Sequence, residues 1–220
     1  ELMKLVKLSW GELKSRQVFL WFRDKELQAE AAKWRWDGSL GKTPEGVGDL
    51  YVVESNLGAN KANCCINREF YLNENGFKLK WRNENEFSEK KVPIFYGGDY
   101  IDYVRLVVSK DIKIEELMVD DNKLRLATEK DFEVVNSLRK DISWDIYNVE
   151  DNGDYQIVGF WVKTKAKEES VAEIVWDLPK IKGIMIDKQP GIEGFDLKID
   201  WQGKNIFEGE LDNRRVFWLN

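Results

Sequence analysis

Histidine is missing altogether from these 220 residues. Its absence removes the side chain most used for proton transfer near neutral pH and the commonest ligand of transition metals. Cysteine is nearly missing, with only the adjacent pair Cys64 and Cys65. Neighbouring side chains on a strand point to opposite faces, so a bond between these two needs a distorted backbone; two reduced thiols are expected. That usage fits a reducing compartment, or an exported protein that does not rely on disulfides. No apolar run approaches the roughly 18 residues needed to cross a bilayer, and no signal-peptide core is present. The chain starts at Glu1 rather than Met, as expected of a processed product or a piece of something longer. A basic excess is missing too: 34 Lys and Arg stand against 40 Asp and Glu, a formal net charge of -6. Nucleic acid is therefore not an expected partner, because phosphate-backbone binding needs a concentrated basic footprint.

Catalytic fingerprints are equally scarce. There is no GxSxG elbow, no P-loop and no Rossmann motif. Glycines 38, 41, 46 and 48 punctuate one stretch, but without Lys-Ser/Thr after the last of them they read as a connecting loop. The acidic turns Asp120-Asp121-Asn122 and 150–154 offer oxygen ligands without EF-hand spacing, so hairpin turns explain them better than calcium. Carboxylates are abundant, yet nothing singles out an acid–base pair. No enzymatic activity, no cofactor and no metal are expected.

What is present is a substantial core in the making, with 43% hydrophobic residues. In the first 36 residues the texture is helical: Leu2, Leu5, Val6, Trp10 and Leu13 recur at helical spacing. Val18 to Phe22 reads as a strand, and Asp24 caps a helix over Lys25 to Trp36 with Leu27, Ala31 and Trp34 on one face. A loop from Ser39 to Gly48 follows. From Asp49 the period becomes two. Ile66, Phe70 and Leu72 alternate with polar residues, turn at Glu74-Asn75-Gly76, and continue as Phe77, Leu79 and Trp81. Further hairpins are predicted at Asp120-Asp121-Asn122 and Asp151-Asn152-Gly153, with strands at Ile101–Val108, Val171–Trp176, Gly183–Asp187, Phe195–Trp201 and Val216–Leu219. Residues 127–140 read as one short helix or a long connection. The predicted architecture is mainly β: an antiparallel β-sandwich-like region over 49–220, as one or two packed sandwiches, preceded by a small helix–strand–helix segment over 1–48 that forms the tail of an upstream domain.

The ten tryptophans stand out. Most of Trp81, Trp144, Trp161, Trp176 and Trp201, on strand patterns, are expected in the core. Trp34 and Trp36, beside the Asp37-Gly38 turn, are the candidate exposed aromatics.

One stretch carries a resemblance. Tyr51 to Lys61 (YVVESNLGANK), before a strand bearing Arg68, resembles a segment of the bacterial envelope family "domain of unknown function" four-zero-one-two. Phe22-Arg23-Asp24-Lys25-Glu26-Leu27-Gln28 with Trp36-Asp37-Gly38, Tyr100-Ile101-Asp102-Tyr103-Val104-Arg105, and Leu178-Pro179 with Lys188-Gln189-Pro190-Gly191 are similar to other parts of it, in order. Cys64-Cys65 depart from it, standing where aromatic residues are expected. The resemblance implies a membrane-anchored protein whose bulk faces outward, with this chain as its carboxyl-terminal part and the anchor upstream. It also implies extracellular placement at the cell surface, and an envelope protein or cell-wall glycan as partner. Asn56, Lys61, Arg68, Asp102 and Arg105 are its candidate site. They are read as a polar network pinning a loop to the sheet, as a pocket for an anionic or sugar group, or as the setting of a Lys61–Asn amide crosslink. The functional expectation is a non-catalytic extracellular structural or interaction module. The alternatives are a carbohydrate-binding module, or an accessory region of a cell-wall glycopolymer transferase whose catalytic residues lie upstream.

Overall fold

The computed structural model describes residues 22–33, 47–56, 65–85, 98–128, 131, 144–177, 182–187, 194–212 and 214–219. Fourteen strands among them, β1 (Val47–Asn56), β2 (Ile66–Asn73), β3 (Gly76–Asn83), β4 (Tyr100–Ser109), β5 (Lys113–Val119), β6 (Asn122–Lys123), β7 (Arg125–Leu126), β8 (Ile146–Asn152), β9 (Tyr155–Thr164), β10 (Glu169–Asp177), β11 (Gly183–Asp187), β12 (Phe195–Trp201), β13 (Lys204–Leu211) and β14 (Arg215–Trp218), form two sheets. Sheet A runs β14-β11-β1-β4-β9-β8-β7 and sheet B runs β13-β12-β2-β3-β10-β5-β6.

Period-two burial makes these strands. On β2 and β3 the inward residues Ile66, Phe70, Leu72, Phe77, Leu79 and Trp81 join inward residues of sheet A such as Val104, Leu106, Val158 and Phe160 in one core. The sheets therefore pack face to face as a sandwich. Leu72 pairs with Phe77 and Phe70 with Leu79, as the Glu74-Asn75-Gly76 turn dictates. A side chain on Gly76 would run into the backbone carbonyl of Ile174 on β10, so only glycine fits at that crossing. Asp120 and Asp121 both adopt positive φ, 49° and 63°, which turns β5 tightly into β6. Leu124 stays buried while the chain steps across to sheet A.

The sheets are mixed rather than purely antiparallel, which corrects the expectation. β1 lies parallel to β11, β7 to β8 and β12 to β2. Parallel neighbours need a long crossover between them. That requirement accounts for the long connection from β7 to β8, on which Asp131 accepts hydrogen bonds from the Thr128 backbone and from both terminal nitrogens of Arg125.

In front of the sandwich the described residues hold one helix, α1 (Lys25–Lys33), not a helix–strand–helix. Asp24 caps it, accepting from the backbone N–H of Glu26 and Leu27 at 3.0 Å each. Ala31 is buried, but Leu27, expected on the same face, is exposed. The elements expected over 2–13 and 18–21 lie outside the described residues, and Phe22 belongs to no regular element. Gly48, expected in a loop, is the second residue of β1.

Candidate functional site

Arg68, one of the predicted site residues, is the centre of a side-chain network. It occupies an inward position on β2, between Ile66 and Phe70, and is buried. Glu54 faces it from β1, across the sandwich. The Arg68 Nε donates to Glu54 Oε2 at 2.7 Å and Nη2 lies 2.5 Å from the same oxygen. Trp81 Nε1 donates to Glu54 Oε1 at 2.7 Å, and the Tyr100 hydroxyl donates to Oε2 at 2.9 Å. Arg68 Nη1 completes the ring by donating to the Ile66 carbonyl at 2.9 Å. Two residues come from sheet A (Glu54, Tyr100) and two from sheet B (Arg68, Trp81), so the network staples one sheet to the other. Burial alone would lower the Arg68 pKa, but the facing Glu54 charge and its hydrogen bonds override that and raise it. Burial, then the charges of Glu54 and Asp102, push the Tyr100 phenol well above its ordinary range.

Asp102 lies at the same end of the core. It is fully buried on β4, opposite Asn56 of β1 and Val162 of β9. Nearby, Asn83 donates to the carbonyls of Gly98 and Thr164 at 3.0 Å each and accepts from Asn85, tying β3, β9 and the start of β4 together. Arg105 does not join them. It stands three residues beyond Asp102, an odd spacing that turns it onto the outer face of sheet A, where it is exposed. The side chain of Asn56 and the whole of Lys61 lie outside the described residues, as do Trp34 and Trp36. Glu54 was the missed partner; the signal was an acid on the apolar parity of Leu50 and Val52.

Of the tryptophans expected in the core, Trp81 and Trp176 are buried, and Trp201 packs against the core from a half-buried position. Trp161 is half-buried on the outer face of sheet A. Trp144, in the turn before β8, is 40% exposed and is the exception among the five. These two and Tyr103 form a ribbon across β8, β9 and β4. Tyr103 and Trp161 have ring centroids 4.9 Å apart, and Trp144 and Trp161 6.2 Å apart. Burial first, then the charge of Glu150, raises the Tyr103 pKa, and its hydroxyl donates to Asn148 Oδ1 at 2.5 Å. Gly159 lies beneath; any side chain there would strike the Tyr103 hydroxyl and Asn148.

The outer face of sheet B is different in kind. Lys78 pairs with Glu173, Lys80 with Glu69 and Glu169, and Arg82 with Glu169. A groove of about 540 Å³ crosses it beside Tyr71, Lys78, Lys198, Asp196 and Glu208. Cys65 is half-buried. Among the described residues no group of three or more Cys, Asp or Glu is placed to hold a metal ion, and no helix is long and apolar enough to cross a membrane. Compared with known proteins, the chain matches no family model and aligns with no curated protein, so its resemblance to the envelope family rests on the quoted residues.

Proposed function

We propose that this chain is a non-catalytic structural and interaction module, carried on the outside of the cell by a membrane-anchored bacterial envelope protein. The observation that carries the reading is how the buried ionic groups are used. Both oxygens of Glu54 are committed to Arg68, Trp81 and Tyr100 inside the core. A general acid or base has to reach the proton of a bound substrate, whereas this carboxylate joins two sheets. The charges of the outer face of sheet B are likewise paired with each other. Both arrangements support a rigid scaffold that presents its faces to other molecules. The outward placement is supported by the resemblance of Tyr51–Lys61 and the quoted stretches on either side of it.

Two measurements test this reading. Trypsin added to intact cells that make the parent protein is expected to remove an epitope placed in this region. Protection until the membrane is opened would overturn the placement. The isolated chain is expected to leave lipid-pyrophosphate-linked glycopolymer unchanged, and turnover of that substrate by residues 1–220 alone would end the non-catalytic reading.

A further inference from the structure

We propose that Trp144, Trp161 and Tyr103, with Asn148, Glu150 and Arg105 beside them, bind a segment of an uncharged carbohydrate chain on the outer face of sheet A. The proposal rests on the interaction-module reading and adds a ligand to it.

Strand register places these residues in adjoining rows. Tyr103 stands opposite Trp161; Arg105 and Asn148 flank Gly159 from either side; Glu150 stands opposite Ile157 in the next row. Three rings thus abut a strip of planar polar groups. This is the pairing a pyranose needs, since its C–H face is apolar and its rim is hydroxyl. An aromatic ring covers the first, and carboxylate, amide and guanidinium groups meet the second.

Three of these side chains are held in place before any ligand arrives. Tyr103 is fixed through its hydroxyl to Asn148, and Asn148 Nδ2 donates to Glu150 Oε1 at 3.1 Å. Little side-chain freedom is then left to lose on binding. Trp144 lies outside the core cluster, so its exposed ring does nothing for the interior.

Charge and shape narrow the ligand. The strip carries one cation, Arg105, and one anion, Glu150, and the neighbouring Lys163 pairs with Asp99 at 2.8 Å; the site favours no net charge. The ribbon is one ring wide, which fits a linear chain, whereas a stable protein partner needs roughly 800 Å² on each side. The rings are inclined to each other, Tyr103 to Trp161 by 51° and Trp144 to Trp161 by 66°. Successive sugars lying on them must turn as well, so a twisted soluble chain fits and the flat face of a crystalline polymer does not.

The test is electrophoresis of the purified chain through native gels containing hydroxyethylcellulose, xyloglucan, galactomannan, mixed-linkage β-glucan or soluble starch, with polygalacturonate as the charged comparator. Retardation in at least one neutral gel is expected, with a change in tryptophan fluorescence on titration with that polymer. Trp144→Ala is expected to weaken binding about tenfold without moving the melting temperature, and Trp144→Tyr to keep most of it. Free passage through every neutral gel would overturn the proposal, as would stronger retention by polygalacturonate or retardation untouched by Trp144→Ala. If Trp144→Ala lowered the melting temperature, Trp144→Tyr would decide: retained binding supports the site, and lost binding in a folded variant refutes it. None of these results bears on protease accessibility of the parent protein, so the ligand and the module reading fail separately.

Discussion

The inner and outer faces of sheet B carry the same kind of ion pair in opposite surroundings. Arg68 and Glu54 meet in the core with side chains 3% and 2% exposed, while Lys78 and Glu173 meet on the outside at 47% and 40%. On β2 the two regimes alternate residue by residue, Arg68 inward and Glu69 outward. Water decides what each pair is worth. Outside, solvent screens the attraction and ordering two long side chains costs about as much as it returns. Inside, both ions have already lost their hydration, so the pair is tolerable only because Trp81, Tyr100 and the Ile66 carbonyl satisfy the remaining sites. The inner pair specifies which sheet faces meet; the outer pairs keep a flat face soluble.

Breaking the inner pair should show the largest effect. Glu54→Ala leaves a buried guanidinium without its counter-charge and is expected to lower unfolding stability by about 3–5 kcal/mol in urea titration. The apolar double variant Glu54→Leu/Arg68→Met should recover most of that loss. A single variant costing under about 1 kcal/mol would mean that water reaches the pair and that the contrast is empty. Tyr100→Phe comes next, removing one donor to Glu54 at a cost of about 1–3 kcal/mol by the same measurement.

The two faces should also respond to opposite ends of the pH scale. Burial, then Glu54 and Asp102, hold the Tyr100 phenol un-ionised, so its folded pKa is the higher one. Its contribution is complete below the unfolded value of about 10 and is lost as pH rises past it. Melting temperature should therefore fall at alkaline pH, and fall less in Tyr100→Phe. Glu169 is the reverse case, its pKa lowered by hydrogen bonds from Lys80 and then Arg82. That contribution is present above the unfolded value of about 4.3 and lost as pH falls through the folded one; contact with solvent keeps it slight. Smallest of all, Lys78→Ala should cost about 0.2–1 kcal/mol in urea titration, and the cost should shrink in high salt.

Much of the fold was legible because strand burial has a period of two. Phe195, Leu197 and Ile199 are buried as the alternation over Phe195–Trp201 predicts, and that strand has the predicted bounds. Turn chemistry placed the turns of β2–β3, β5–β6 and β8–β9, but not the length of β6, which is two residues long before the chain crosses to sheet A. β13 was not anticipated, because its Lys204–Leu211 stretch is half-exposed at an edge and lacks clean alternation. The same parity rule, applied to charged residues, separates Arg105 from Asp102 and picks out Glu54 and Arg68 as acid and base on apolar positions. Trp144 follows no strand rule, since it sits in a turn; only the neighbouring Trp161 shows which face it joins.

Local chemistry, then, was enough to specify most strands and turns and the inward sense of residues such as Phe195, Leu197 and Ile199, because these depend on near neighbours and on a repeat of two. The parallel pairs β1–β11 and β2–β12 join segments more than a hundred residues apart, and no local pattern encodes such a choice. The same holds for Glu54 meeting Arg68 across the core and for three rings lining up over β8, β9 and β4. Those juxtapositions arise only when two sheets close on one another and each buried charge must find its partner there.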